Sequence, residues 1–267
     1  MYGLSSINVE LTSRCNKSCW MCGRRKIEKE RPELANWGDM PLGMVEEIAS
    51  QVPPGIFVQL HNNGEPLLYP DLGEAIDFFA TCGQFTGLDT NGKLLMEKAT
   101  EIERLNSIAV SIIPKDPEAH DQYETVVSYL GHGDRPKIIV FRLLGDVDFY
   151  IEHPYRRLAQ QHKALCVRRQ LHSPDGSHDY EKPVTVPEIG VCLEMLHKLS
   201  IDRFGNVSPC VRFDPEGEHI IGNINKSTLG EIWNSPQRKE WLQCHLEGRR
   251  DKVPLCSKCH YWGVPRG

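Results

Sequence analysis

Ten cysteines stand in a chain of 267 residues, and seven of them fall into two spaced sets. Cys15, Cys19 and Cys22 form C-x3-C-x2-C. Three thiolates on one short loop can hold three irons of a [4Fe–4S] cube and leave the fourth iron open to a small molecule. A structural zinc site would want a fourth ligand, and this loop offers no nearby histidine. The second set is Cys192 and Cys210, spaced C-x12-G-x4-C around Gly205, with Cys256 and Cys259 as C-x2-C. On spacing alone it suits tetrahedral zinc or a second [4Fe–4S] cluster. Cys82, Cys166 and Cys244 stand alone.

Chemistry of this kind needs a scaffold. Short β-type runs alternate with helical patterns up to about residue 171. The strand candidates are Ile7–Leu11, Ile56–Leu60, Phe85–Asp89, Ser107–Ile112, Lys137–Leu143 and Leu165–Gln170. Helices are expected over Pro41–Gln51, Asp71–Thr81, Leu94–Leu105 and Asp148–His162, with only a short one between Pro117 and Gly131. Such alternation implies parallel strands joined by crossover helices. Six units are too few to close an eight-stranded barrel, so the expected fold is α/β, a partial (βα)6 barrel. Sites in such folds sit at the carboxyl ends of the strands.

Residues 172–191 read as a linker broken by Pro174, Gly176, Pro183 and Pro187. Residues 192–267 read as a small second module. Leu199–Asp202 and Val207–Val211 flank Arg203-Phe204-Gly205-Asn206, a hairpin signal, and helical stretches follow at Leu229–Asn234 and Gln237–Leu246. A unit this small often needs a metal staple.

The loop Cys-Asn-Lys-Ser-Cys-Trp-Met-Cys resembles the signature of the radical S-adenosylmethionine (SAM) superfamily. The resemblance implies that the open iron chelates SAM and that its reductive cleavage yields a 5′-deoxyadenosyl radical. Met21 stands where the family usually has an aromatic residue, and its thioether could pack on the adenine. Asn63-Gly64-Glu65-Pro66 resembles the family's Gly-Gly-Glu-Pro motif, which holds the SAM amino group. Thr90 and Asn91, before Gly92, resemble the turn near the cofactor. Ser111 and Arg142 match positions that contact its ribose or carboxylate. The spacing of the second set resembles the twitch form of the SPASM auxiliary-cluster domains, with a second [4Fe–4S] cluster.

The resemblance implies a radical SAM oxidoreductase. The expected reaction is two-electron oxidation of a small polar substrate, sugar- or aminocyclitol-like, with the auxiliary cluster accepting an electron. An epimerase would need a hydrogen donor, for which Cys166 and Cys244 are the candidates. A peptide maturase and an iron–sulfur redox sensor also stay open. Arg169 could act on a substrate hydroxyl or carboxylate, with His61, Asn62, Arg168 and His172 as further contacts. A flavodoxin- or ferredoxin-like donor is the expected electron source.

The net charge of −5 gives no sign of a basic face for nucleic acid. No apolar run approaches a membrane span and no leader pattern follows Met1, so a cytoplasmic protein is expected. Arg24, Arg25 and Lys26 read as a solvated loop or as a contact for an anionic substrate or acidic electron donor.

Overall fold

The computed structural model describes residues 1–113, 121–169, 191–212 and 214–259. Among them nine strands form one sheet in the order β6-β5-β4-β3-β2-β1-β7-β8-β9. These are β1 (Ser6–Val9), β2 (Phe57–Gln59), β3 (Phe85–Thr90), β4 (Ser107–Ile112), β5 (Ile138–Leu144), β6 (Leu165–Arg169), β7 (Lys198–Ile201), β8 (Asn206–Ser208) and β9 (Gly222–Asn223). The strands from β1 to β7 pair in parallel, and β8 and β9 add antiparallel. The six expected barrel strands are all present, with ends shifted by a residue or two.

Burial alternates along these strands, as the period of two requires. Ile7, Val9, Val58, Leu88, Ile108, Val110, Phe141 and Leu143 are buried, on the parity packed against helices. The opposite parity carries Ser6, Asn8, Gln59, Asp89, Ser107, Arg142 and Lys198, which line a cavity of about 530 Å³. The apolar core thus lies outside the sheet, and the inner face lines an open lumen that mixes these polar side chains with apolar ones such as Phe57 and Val140.

The helices are α1 (Gly23–Glu30), α2 (Leu42–Gln51), α3 (Leu72–Thr81), α4 (Ala99–Ile102), α5 (Gln122–Gly131), α6 (Phe149–His162), α7 (Leu193–His197), α8 (Leu229–Trp233) and α9 (Pro236–Leu246). None of the described helices is long and apolar enough to cross a membrane. Three differ from the sequence reading. The helix expected over Leu94–Leu105 shrinks to α4. Its first turn is committed elsewhere: Asn91 Oδ1 accepts from the Lys93 amide at 2.9 Å, and Lys93 Nζ donates to Asn16 O at 3.5 Å. The helix between Pro117 and Gly131 is longer than expected, and Asp121 caps it by accepting from the Glu124 amide. The Arg24–Lys26 loop is helical. Ile27 anchors α1, Arg25 pairs with Glu28 at 2.7 Å, and Arg24 is buried with its guanidinium 4.2 Å from the Trp37 ring centroid.

The C-terminal module does not stand apart. Its first strand, β7, pairs with β1 over four residues and extends the barrel sheet. The expected 172–191 linker lies, but for Val191, outside the described residues, as do His172 and residues 260–267. A capping box between Thr228 and Glu231 starts α8. Arg238 on α9 is buried, stacks on Trp233, and donates to the carbonyls of Met195 and Leu196 on α7 at 3.0 and 3.2 Å. That clamp fixes α7, and with it Cys192 at its start.

Candidate active site

The three-cysteine loop follows β1 at the carboxyl end of the barrel, where the fold rule places chemistry. It is seated by the segments after β2 and β3. The Glu65 amide donates to Arg14 O at 2.7 Å. Gly64 lies at φ +78°, and a Cβ there would come within 2.5 Å of Thr12 O and 2.7 Å of Arg14 O. Glycine is therefore required on two counts, handedness and space. Gly64→Ala is expected to cost at least about 2 kcal/mol and to loosen the cysteine loop. A denaturant midpoint equal to wild type would contradict that.

Asn91 joins the motifs. Its amide donates to Glu65 Oε2 at 2.7 Å. Its Nδ2 donates to Asn16 Oδ1 at 2.8 Å and reaches Cys15 Sγ at 3.9 Å. Its carbonyl accepts from Gln122 Nε2 at 2.7 Å, and the same Nε2 donates to Ser111 O at 2.8 Å. Glu65 Oε1 accepts from Thr90 Oγ1 at 2.7 Å and from the Leu67 amide at 3.1 Å. The Glu65 carboxylate is buried and both its oxygens are engaged, so it braces the two turns. Pro66 opens the short 3-10 turn Pro66–Leu68 behind it. Asn63 turns to Glu10, which accepts from its Nδ2 at 2.8 Å and from its amide at 3.2 Å. Met21 sits half-buried in the turn before Cys22.

Arg142 on β5 pairs in register with Ser111 on β4. Its guanidinium donates to Asp89, which also accepts from Gln59 Nε2 at 2.9 Å and has His61 Nδ1 at 3.9 Å. Burial, and then Arg169, pull Arg142 down to about 10. Burial, then Arg142, push His61 down to about 4. The folded value lies below the unfolded one, so the unfolded chain binds more protons between pH 4 and 6.5. Stability is therefore expected to rise with pH across that window. Denaturant titrations at pH 5 and 7 should show a smaller difference in His61→Gln; an equal difference would place the titration elsewhere.

Arg169 lines the same cavity. The lone cysteines do not. Cys166 pairs in register with Phe141, on the helix-facing parity, and packs against the core. Cys244 is buried on α9. Neither reaches the lumen, which removes the geometric basis for a hydrogen-donor role. Arg168, on the same parity as Cys166, pairs with Glu152 of α6.

The second cysteine set converges. Cys192, Cys210, Cys256 and Cys259 line one cavity of about 40 Å³ with His219 and His245. It lies at the amino ends of the parallel strands, since Cys192 precedes β7 and Cys210 follows the antiparallel β8. Arg250 donates to the carbonyls of Cys256 and, at 2.8 Å, Cys259, holding the C-x2-C turn. Leu255, buried at φ +57°, presents Cys256. All ten cysteines are free thiols. Burial pushes Cys15 up, Cys210 well up and Cys256 up to about 12. Half-buried, unbridged thiols facing one cavity fit a metal cluster, whose charge replaces their protons.

Cys192, Glu194 and Arg212 line both this cavity and the barrel lumen. Glu194 accepts from Lys198 Nζ at 2.7 Å on Oε1, while its Oε2 is buried with no partner among the described residues. Sequence reasoning missed Glu194, Lys198, Asp89, Glu10 and Gln122. Parity gave a signal for Asp89, an acid two residues beyond Gly87 in an otherwise uncharged strand.

Residues 192–260 match the SPASM family, described as an iron–sulfur cluster-binding domain. Over 263 residues, covering 96% of the chain and 92% of the relative, the sequence is 23% identical to the S-adenosyl-L-methionine-dependent 2-deoxy-scyllo-inosamine dehydrogenase of Niallia circulans. The structure of BtrN in complex with AdoMet and 2-DOIA is similar at a TM-score of 0.60 and 18% identity, covering 97% of both chains. Streptococcus suis SuiB bound to S-adenosylmethionine is similar at 0.57 and 13% identity, covering 97% of this chain and 72% of that one. The likeness supports SAM and [4Fe–4S] clusters as cofactors. Residues 192–260 thus form a SPASM-type iron–sulfur cluster-binding region, and the chain as a whole is similar to radical SAM enzymes.

Proposed function

We propose that this enzyme oxidises a hydroxyl-bearing carbon of an aminocyclitol or similar small polar ring, with the auxiliary cluster as electron acceptor. One observation carries the reading. The lumen runs from His61, Arg142 and Arg169, on the segments of β2, β5 and β6, to Cys192, Glu194 and Arg212 at the wall of the four-cysteine cavity. A substrate held there lies between the two cluster sites.

Cys15, Cys19 and Cys22 hold the SAM-binding [4Fe–4S] cluster, and Cys192, Cys210, Cys256 and Cys259 hold the second. With SAM bound, the first cluster would supply the one-electron chemistry that lets one hydrogen atom be taken from the substrate. Met21, Asn63, Gly64, Glu65, Pro66, Thr90, Asn91, Ser111 and Arg142 bind SAM or shape its site. Glu65 does so through the turns it braces. Arg169 orients a substrate hydroxyl. Glu194 Oε2, buried without a partner, takes the hydroxyl proton or pairs with a ring ammonium. Loss of one hydrogen atom, one proton and one electron turns the alcohol into a ketone. A flavodoxin- or ferredoxin-type donor supplies the electron that starts each turnover.

The balance of product and cofactor tests this. Incubation with SAM, dithionite and an aminocyclitol should give one ketone per SAM cleaved. Cleavage with an epimerised product would favour the epimerase, and cleavage accompanied by a modified peptide the maturase. No cleavage by a protein with intact iron would favour a sensor.

A further inference from the structure

Two histidines share the four-cysteine cavity. His219 and His245 are each 1% exposed, and both line it. In a neutral imidazole one nitrogen donates and the other accepts, and the neighbours decide which. The Cys192 amide donates to His245 Nδ1 at 3.4 Å. His245 therefore carries its proton on Nε2, and Nε2 is buried with no partner among the described residues. His219 Nε2 lies 3.5 Å from Cys256 Sγ, while its Nδ1 is buried with no partner among the described residues. A metal-bound Cys256 is a thiolate and can only accept, so His219 Nε2 donates. Stacking on Trp241, centroids 4.7 Å apart and planes at 16°, holds that ring in place. A buried donor without an acceptor is destabilising. The sulfides and thiolates of a cluster are the acceptors this cavity would otherwise lack.

We infer that His219 and His245 donate N–H hydrogen bonds to the sulfurs of the auxiliary cluster and raise its reduction potential, fitting it to take the electron that leaves the substrate. Hydrogen bonds to cluster sulfurs stabilise the more negative, reduced state. The inference rests on the proposed reading that this site holds an iron–sulfur electron acceptor.

A redox titration of the whole iron-loaded protein, followed by electron paramagnetic resonance, tests it. Added SAM perturbs the first cluster alone and so identifies the second. His219→Leu and His245→Leu should keep their iron and titrate at a more negative potential. His219→Gln, which keeps an N–H in place, should stay near wild type. An unchanged potential in both leucine variants overturns the inference. Wild-type protein labelled with nitrogen-15 histidine gives a second readout and decides the matter if the leucine variants lose iron. A weak nitrogen coupling in the auxiliary signal supports the hydrogen bonds. No coupling, or the strong coupling of a direct ligand, overturns them. An iron-free second site overturns the cluster reading itself, which separates the two failures.

Discussion

Cys256→Ala is expected to abolish substrate oxidation while leaving reductive SAM cleavage in place. The two cysteine sets are held by different parts of the chain. Glu65, Asn91 and Gln122 brace the first. Arg238 and Arg250 secure the second. Iron should fall from about eight to about four per chain, because each cube holds four. The counterpart, Cys19→Ala, should lose the other half of the iron and all SAM cleavage. The measurements are an iron and sulfide count and a chromatographic assay for 5′-deoxyadenosine. Substrate oxidation surviving in Cys256→Ala would sink the electron-acceptor role of the second site.

Asp89→Ala is expected to cost about 3 kcal/mol, because it strands a largely buried guanidinium. Among the described residues Asp89 is the acid that pairs with Arg142. The Arg142 Nε is already buried without a partner among the described residues, and Arg169 repels its charge. Asp89→Ala combined with Arg142→Met should recover much of the loss, since the pair is coupled. Urea midpoints of the single and double variants check this. A single variant within about 0.5 kcal/mol of wild type would mean that water already compensates Arg142.

The barrel was legible because its strands alternate and its helices carry apolar spacing, two periodicities that survive in sequence. The cysteine loop was legible because C-x3-C-x2-C is specific. The roles inside the motifs were less so. Glu65 matches a cofactor-binding motif, yet its oxygens are spent on Thr90, Leu67 and Asn91. That is a tertiary fact with no local signature. Arg24 reads as a surface charge, and only the position of Trp37 shows that it is buried. Cys166 shows the limit most clearly. A one-residue offset from Arg169's parity sends its thiol to the core, and strand parity can be assigned only once the register is known. Glu194 and Lys198 were missed because the sequence assigns them to a separate module. The β1–β7 ladder brings them under the barrel.

That ladder has a consequence for electron flow. The three-cysteine loop follows β1 at one mouth of the barrel, and Cys192 leads into β7 at the other. Four paired residues lie between them as a rigid spacer. In the proposed reaction, current would enter at one pole and leave at the opposite one, with the substrate in series, and a direct leak between the poles would have to cross the full depth of the lumen. Each residue inserted into β1 or β7 would lengthen that gap by about 3.3 Å, so the strands act as the insulator of the circuit as well as its frame.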